Sequence, residues 1–241
     1  MSNPYLLLWL EGPLQAWGHD SRFGRRDSLP FPTKSGVLGL LCCALGAGGE
    51  QRDLLAQLAD LDMQLVAYTP KNNDDKPSLR QPLLRDFHMV GSGYDDADPW
   101  QNLLIPKTSD GKKAVGGGTK MTYRYYLQDM TFAVVLEVPT EHADAFAEAL
   151  RCPVWDVYLG RKTCVPTELV YQGIYVDTEH ALKFADELAC VKNRARSFFV
   201  RQGAHDGEVI TLNDVPLQFG QDKRYRDRQV TVFYSEEDST L

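Results

Sequence analysis

Two short segments combine glycine with basic side chains, a composition found at helix ends and loops that bind phosphate. The first is Pro32-Thr-Lys-Ser-Gly36, and apolar residues at helical spacing after it predict a helix over 34–45. Lys34 and Ser35 would lie in its first turn, where free backbone N–H groups and the helix dipole favour an anion. The motif GxxxxGK[ST] of nucleotide hydrolases is absent from the chain. The segment therefore indicates either an anion site or ordinary helix capping by Thr33.

The second segment is Tyr158-Leu-Gly-Arg-Lys162. Glycine has no Cβ, so the backbone at Gly160 can approach a ligand closely. Arg161 and Lys162 follow it and supply positive charge, and arginine can form paired hydrogen bonds with a phosphate. Neither segment is specific for one ligand by itself.

Basic side chains are clustered, although the chain as a whole is acidic. The formal net charge is −7, with 26 Lys and Arg residues against 33 Asp and Glu residues. Two stretches nevertheless carry a charge of +4 each: 107–124 has five basic residues and one acidic residue, and 192–201 has four basic residues and none acidic. Four more basic residues lie in 223–228. These runs fit either solvated surface faces or a track for the phosphates of a nucleic acid.

Tyrosines accompany the first of these basic runs. Tyr123 lies beside Arg124 and near Lys120, a composition typical of surfaces on which nucleic-acid bases stack. The alternation of side chains over 120–127 fits half-buried packing in a strand equally well. The pattern leaves both interpretations open.

One histidine close to these residues is a candidate for catalysis. His88 ends a predicted strand over 83–90, near Arg85, and an imidazole can take the proton of a ribose 2′-hydroxyl. A lone histidine between Phe87 and Met89 fits a packed or hydrogen-bonded side chain better, and we favour that interpretation. The chain has no Ser/His/Asp arrangement and no Cys/His or acidic spacing typical of a metal site. We therefore expect no metal and no other cofactor.

The elements that must position these residues follow the order strand, helix, strand, strand, helix, with further short strands after them. This order favours an α+β fold with a ferredoxin-like core. A glycine-rich insertion at 91–119 is longer than ordinary connections, and it predicts a hairpin that projects from the sheet. The predicted strands cover 5–10, 63–68, 83–90, 120–127 and 131–138, and the predicted helices cover 34–45 and 52–59, with another after Thr140.

The length of 241 residues allows one large domain with a small addition. We expect a core domain over 1–172 and a small, mostly β appendage over 173–241. No run of 18 apolar residues and no signal-peptide pattern is present, and the five cysteines have no zinc-ligand spacing. These features favour a reduced, cytoplasmic protein.

Five motifs occur in a characteristic order between about residues 5 and 165. They are Gly12-Pro-Leu-Gln-Ala-Trp-Gly18, Phe31-Pro-Thr-Lys-Ser-Gly-Val-Leu-Gly-Leu-Leu41, Leu84-Arg-Asp-Phe-His88, Tyr123-Arg-Tyr-Tyr-Leu127 and Tyr158-Leu-Gly-Arg-Lys-Thr-Cys164. Together they resemble the CasD family, the small backbone subunits of type I-E CRISPR Cascade complexes. The region after residue 173 resembles that family only loosely.

The resemblance implies a ferredoxin-like (RRM-like) core with a long β-hairpin thumb over about 86–126. It also implies a non-catalytic subunit that binds the 5′ handle of the CRISPR RNA and caps the backbone filament in antiviral defence. Its partners would be the CRISPR RNA, the repeated backbone subunit and the large subunit, with target DNA near the thumb. Arg124 corresponds to an arginine at the base of the family's thumb. The residues expected to bind RNA are Gln15, Trp17, Arg22, Lys34, Ser35, Arg85, His88, Lys120, Tyr123, Arg124, Tyr158, Gly160, Arg161 and Lys162.

Two other functional classes stay open at this point. A related subunit of type I-C systems cleaves its precursor RNA by metal-independent acid–base chemistry, and His88 is the best candidate for that role here. A protein–protein scaffold without RNA contact would fit the acidic residues over 137–148. Trp17 also fits a core position as well as a place beside the RNA.

Overall fold

The computed structural model describes residues 2–18, 24–90, 95, 97–104, 107–112 and 120–234. Arg22, the triglycine at 116–118 and the acidic tail at 235–241 lie outside the described residues, as does the side chain of Lys120. The strands are β1 (Tyr5–Glu11), β2 (Leu14–Gln15), β3 (Arg25–Arg26), β4 (Met63–Pro70), β5 (Leu84–Val90), β6 (Lys120–Gln128), β7 (Thr131–Glu137), β8 (Tyr171–Tyr175), β9 (Arg194–Gln202), β10 (Glu208–Gln218) and β11 (Arg224–Tyr234). The helices are α1 (Lys34–Leu45), α2 (Arg52–Leu58), α3 (Pro99–Leu104), α4 (Ala143–Arg151) and α5 (Thr178–Val191).

A seven-stranded antiparallel sheet forms the body, in the order β10-β11-β9-β4-β7-β1-β8. Strands β1, β4, β7 and β8 alternate with α1 and α4 in the predicted order of strand, helix, strand, strand, helix, strand. The mixed helix-and-sheet class is therefore confirmed, and the term ferredoxin-like remains our interpretation of this order. No helix within the described residues is long and apolar enough to cross a membrane.

Helix α1 begins and ends where the sequence predicts. The hydroxyl of Thr33 accepts a hydrogen bond from the N–H of Gly36, which caps the first turn. Gly46 follows the last turn with φ 66°, the left-handed conformation that glycine adopts without strain. These two caps fix the ends of the helix, whose first turn carries Lys34 and Ser35.

Apolar side chains pack on both faces of the sheet. Leu6, Leu8 and Leu10 of β1 belong to the core that also contains the buried residues of α1 and α4. Leu7 and Trp9 point to the other face, where the alanines of α5 cover them. This double burial explains why β1 is a continuous apolar run.

The strands after residue 190 extend the same sheet. Strand β9 pairs with β4, and β11 and β10 follow it outwards. The boundary that the sequence suggested at 172–173 falls within β8. The appendage is therefore joined to the core by strand pairing, and the division into two units remains an interpretation.

Strands β5 and β6 form a hairpin, which we call the thumb together with the residues between them. They pair antiparallel from Leu84↔Tyr126 to Val90↔Lys120. The sequence did not predict α3, a short helix within the insertion whose N-terminal N–H groups meet the carboxylate of Asp98. The body contacts the thumb through β2 and β3, each of which pairs with β6 over two residues.

Candidate nucleic-acid interface

The N-terminus of α1 binds an anion, but the anion comes from the protein itself. The N–H of Lys34 donates to a carboxylate oxygen of Asp214 at 2.7 Å. Asp214 lies on β10 and also accepts two hydrogen bonds from the guanidinium of Arg228, at 2.7 and 2.9 Å. Both side chains are almost completely buried. The helix end therefore does hold an anion, but this anion is the carboxylate of Asp214 and not an RNA phosphate.

The side chain of Lys34 is buried, contrary to its expected role in RNA binding. Its Nζ donates to the carbonyl oxygens of Ala59 at 2.8 Å and Leu61 at 2.6 Å. Desolvation, with repulsion from Arg228, lowers the pKa of Lys34 to about 8. Lys34 therefore fastens the end of α2 to α1 and contributes no charge to the surface.

Gln15 and Trp17 are also interior residues. The amide of Gln15 donates to the carbonyl oxygens of Leu10 at 2.9 Å and Met130 at 2.7 Å. Its carbonyl oxygen accepts a hydrogen bond from the Trp17 indole at 3.1 Å. Both side chains are fully enclosed, so they support the neighbouring surface and do not contact RNA directly. The core interpretation of Trp17 is the one that the structure supports.

Gly160 allows close packing between two parts of the chain. The sequence predicted instead a close approach of the backbone to a ligand. Its φ is 85°, and a Cβ built on it would lie 1.8 Å from the carbonyl oxygen of Ala16. The N–H of Ala16 in turn donates to the carbonyl oxygen of Leu159 at 3.1 Å. Glycine at this position fixes loop 158–163 against the segment after β2.

Arg161 also differs from its predicted role. Its guanidinium donates to the carbonyl oxygens of Tyr125 at 3.2 Å and Arg26 at 2.8 Å. The same group lies 4.8 Å from the centre of the Tyr126 ring. Because its donors are directed at the protein backbone, Arg161 is not a free cation for phosphate.

A cleft of about 510 Å³ lies beside the N-terminus of α1. We call it the glycine cleft, because seven glycines contribute to its wall. Backbone can approach a ligand closely where side chains are missing, and aromatic rings on the same wall offer stacking surfaces. Of the predicted residues, Trp17, Ser35, Tyr158 and Gly160 line it. The glycines are Gly18, Gly36, Gly39, Gly48, Gly49, Gly160 and Gly220, and the other lining residues include Trp155, Phe219, Tyr225 and Lys223.

A second cleft, of about 360 Å³, lies at the root of the thumb and brings three predicted residues together. Arg85, His88 and Arg124 line it, with Thr163 of loop 158–163 on the opposite side. Asp86 lies directly across the hairpin from Arg124. Among the described residues, neither the imidazole of His88 nor the guanidinium of Arg124 has a hydrogen-bonding partner or ion pair. Within the part of the chain that the structure describes, both groups face this cleft without a partner.

One face of the thumb carries exposed apolar and aromatic side chains. Tyr123 is 45% exposed, and its ring centre lies 5.3 Å from that of Phe87. The guanidinium of Arg85 lies 5.7 Å from the Tyr123 ring centre. Met89 and Met121 continue this face towards the tip and are more than half exposed. The prediction that Tyr123 stacks on a base remains untested, but its ring is accessible.

The two basic runs near the C-terminus are largely neutralised within the protein. Lys192 contacts Glu11 and Glu168, and Arg194 contacts Glu11 and Asp129. Arg196 pairs with Asp186, and Arg226 pairs with Asp60. The interpretation of these runs as a phosphate track is therefore wrong for most of their members. Lys223 is an exception, because it is exposed and lines the glycine cleft.

Loop 158–163 is the structural element that links these features. Tyr158 and Gly160 line the glycine cleft, and Thr163 lines the cleft at the thumb root. Lys162 is exposed and lies, with Tyr158 and Trp155, in a third cleft of about 860 Å³. The sequence identified this loop, and Lys223 as one member of the basic run 223–228, but not Trp155, Phe219 or Tyr225. Only the folded chain brings residues from those distant segments to α1.

The described residues contain no group of three or more His, Cys, Asp or Glu side chains that could hold a metal ion. Cysteine thiols near the glycine cleft are poor nucleophiles, because burial raises the pKa of Cys42 to about 11 and raises that of Cys43 as well. The side chains that line the three clefts include aromatic rings and the cations Arg124, Lys162 and Lys223.

Comparisons with known proteins agree with the motifs. The family model described as CRISPR-associated protein (Cas_Cas5) matches residues 5–232. The CRISPR system Cascade subunit CasD of Escherichia coli strain K12 is 32% identical over 173 residues, which are 70% of each chain. A chain of a structure titled CRISPR RNA-guided surveillance complex is 28% identical, with a TM-score of 0.69, and the match covers 96% of this chain and 90% of the other. A chain of a structure titled Crystal structure of Cas protein is 26% identical, with a TM-score of 0.59 and coverage of 96% and 94%.

The resemblance to CasD that the five motifs indicated is thus confirmed. A family model that spans almost the whole chain, together with a relative at 32% identity, shows that this protein belongs to the CRISPR-associated Cas5 family.

Proposed function

We propose that this protein is a non-catalytic subunit of a type I-E Cascade complex that binds the single-stranded 5′ handle of the CRISPR RNA. The observation that carries the proposal is the meeting of three clefts at loop 158–163, beside the root of the thumb. The exposed cations Lys162 and Lys223, and Arg124 at the thumb root, border these clefts and have no ion pair among the described residues. Membership of the Cas5 family supports the same function.

The proposed RNA surface lies beside the sheet rather than on its central strands. Around β1 and β7, α5 packs on one face of the sheet and α1 and α4 pack on the other, so these strands present no open face to a base. The glycine cleft offers a wall that phosphates and sugars can approach, together with aromatic rings for unstacked bases. We place the RNA path from the glycine cleft across loop 158–163 to the thumb root. The contacting residues are Ser35, Arg85, His88, Tyr123, Arg124, Tyr158, Lys162 and Lys223, with Arg22 and Lys120 as further candidates from the sequence.

The partners would be the repeated backbone subunit, the large subunit and the CRISPR RNA, in the cytoplasm. Capping the backbone filament requires a surface for protein contacts as well as for RNA. Three exposed acidic side chains on or near α4, Glu141, Asp144 and Glu148, suit contact with basic neighbours. Target DNA would pass near the thumb.

The alternative function, cleavage of precursor RNA, depends on His88. A general base needs to be held at the proton that it removes, and a neighbouring group often orients it. Among the described residues no carboxylate is hydrogen-bonded to the His88 imidazole. We therefore assign His88 to RNA contact rather than to catalysis. Incubation of the purified protein with precursor RNA should leave the RNA intact, and specific cleavage that is lost in His88→Ala would establish the alternative.

Binding of labelled handle RNA over a series of salt concentrations tests the main proposal. The affinity should fall with log[salt] at a slope near −0.7 for each phosphate neutralised. Arg124→Ala, Lys162→Ala and Lys223→Ala should each weaken binding and reduce the slope by about 0.7. Arg201→Ala is the matched control, because Arg201 is an exposed cation in a cleft beside α5, on the other side of the sheet. Equal effects of Arg201→Ala and Arg124→Ala would contradict the proposed surface.

A further inference from the structure

Arg161 connects three separate segments of the chain. It belongs to loop 158–163, which is itself fixed: Leu159 N–H donates to the Cys164 carbonyl oxygen at 2.8 Å, and Cys164 N–H donates to that of Arg161 at 2.8 Å. From this loop the guanidinium reaches Tyr125 on β6 and Arg26 on β3. A longer contact of 3.5 Å reaches the carbonyl oxygen of Asp27. One side chain thus links the loop, the thumb root and the strand beside it.

The thumb joins the body at a short root, where Tyr126 and Leu127 of β6 pack into the core. Strand β6 pairs with β2 only at Leu14↔Gln128 and Gln15↔Leu127. It pairs with β3 only at Arg25↔Tyr123 and Arg26↔Arg124. A two-stranded hairpin is marginally stable without further support. Hydrogen bonds from a charged donor contribute more than neutral ones, so Arg161 adds a polar restraint at this root to the strand pairing and the core packing.

The geometry points to Arg161 as a positioning residue that holds the thumb at a fixed angle to loop 158–163. It does so through backbone carbonyls and not through RNA phosphates. Its bond to Arg26 fixes β3, which pairs with β6 at Arg124. Arg161 therefore sets where Arg124 lies relative to Lys162 on the loop. The consequence for RNA rests on the proposed function, whereas the restraint on the thumb does not.

The variant Arg161→Lys separates the positioning effect of the guanidinium from the effect of its positive charge. Lysine keeps the positive charge, but its compact ammonium cannot replace a planar fork that reaches carbonyls on two strands. The first measurement is hydrogen exchange of the free, full-length protein by mass spectrometry. Amides of β5 and β6 should exchange about tenfold faster in Arg161→Lys, while those of β7 in the central sheet stay unchanged. Lys162→Ala is the matched control, because Lys162 is the exposed neighbour and should leave exchange of the thumb as it is.

Two results would overturn the inference: unchanged exchange of β5 and β6 in Arg161→Lys, or an equal increase in β7, which would mean that Arg161 stabilises the whole fold.

The second measurement is binding of handle RNA. Arg161→Lys should raise Kd about tenfold, with a change in the salt slope no larger than that of Arg124→Ala, because the loss acts through the placement of Arg124. If Arg161→Lys binds with the wild-type Kd while Arg161→Ala binds with a higher Kd, then Arg161 contacts the RNA through its charge. That result would contradict our inference. If the wild-type protein binds no handle RNA, the proposed function fails, while the exchange result still decides the role of Arg161.

Discussion

The contact between Gly160 and Ala16 makes a quantitative prediction about stability, because a second glycine provides its control. Gly160 has φ 85°, and a Cβ on it would lie 1.8 Å from the Ala16 carbonyl oxygen. Gly49 has φ 84°, and a Cβ on it would meet no atom within 4 Å. The two alanine substitutions therefore impose the same backbone strain, and only one of them adds a collision.

The magnitudes follow from the two geometries. An L-residue in the left-handed region costs about 1–2 kcal/mol, and this is the expected cost of Gly49→Ala. At Gly160 the methyl group must move roughly 1.5 Å to reach an ordinary carbon–oxygen contact of roughly 3.3 Å. That movement costs about 1–3 kcal/mol as overpacking. It also breaks the hydrogen bond from Ala16 to Leu159, at about 1 kcal/mol. Gly160→Ala should therefore cost about 3–6 kcal/mol.

Denaturant unfolding of the full chain measures the difference in unfolding free energy between the two variants. Thermal unfolding of the same two variants gives their melting temperatures. The melting temperature of Gly160→Ala should lie roughly 5–15 °C below that of Gly49→Ala. If the two variants are equally stable, then loop 158–163 moves away from Ala16 without resistance. In that case the loop is not the fixed element on which the proposed RNA path depends. Arg161 could then not hold the thumb at a fixed angle, because the loop that carries it would itself move.

Much of the body is predictable from the sequence because local patterns dictate it. Helix α1 begins after Thr33 and ends before Gly46, as the sequence predicts. The apolar run of β1 and the β-branched run of β7 are interior strands of the sheet with a neighbour on each side, as their composition indicates. The hairpin character of the insertion is confirmed by β5 and β6, whereas α3 was missed because a helix of six residues has too few positions to show a period.

The interface is less predictable, because the sequence shows which side chains are charged but not what they contact. Lys34 and Arg161 have the right chemistry for phosphate, yet backbone carbonyls take their donors. Asp214 supplies the anion at α1 from 180 residues away in the chain. Lys223 appeared within a basic run whose other members are mostly paired. Selecting the free cations requires the tertiary structure, since each pairing joins segments that no local pattern connects.

Three further predictions concern single groups. Tyr123→Leu, which keeps apolar bulk but loses the aromatic face, should weaken binding of handle RNA by about 1–3 kcal/mol, whereas Tyr123→Phe should bind normally; equal binding by both variants would favour the strand-packing interpretation. Asp214→Asn should destabilise the fold by about 3–5 kcal/mol in denaturant unfolding, because it leaves the buried guanidinium of Arg228 without a counter-charge. The exposed pair of Asp60 and Arg226 provides the control, and Asp60→Asn should leave stability unchanged. The pKa of Lys34 is about 8 in the folded chain, below its ordinary value of 10.5, so between these pH values the unfolded chain binds a proton that the folded chain has released. The unfolding free energy of the wild type relative to Lys34→Met should therefore rise by about 2 kcal/mol from roughly pH 8 to pH 10. A difference that stays flat across this range would mean that the ammonium reaches solvent and is not enclosed between α1 and the end of α2.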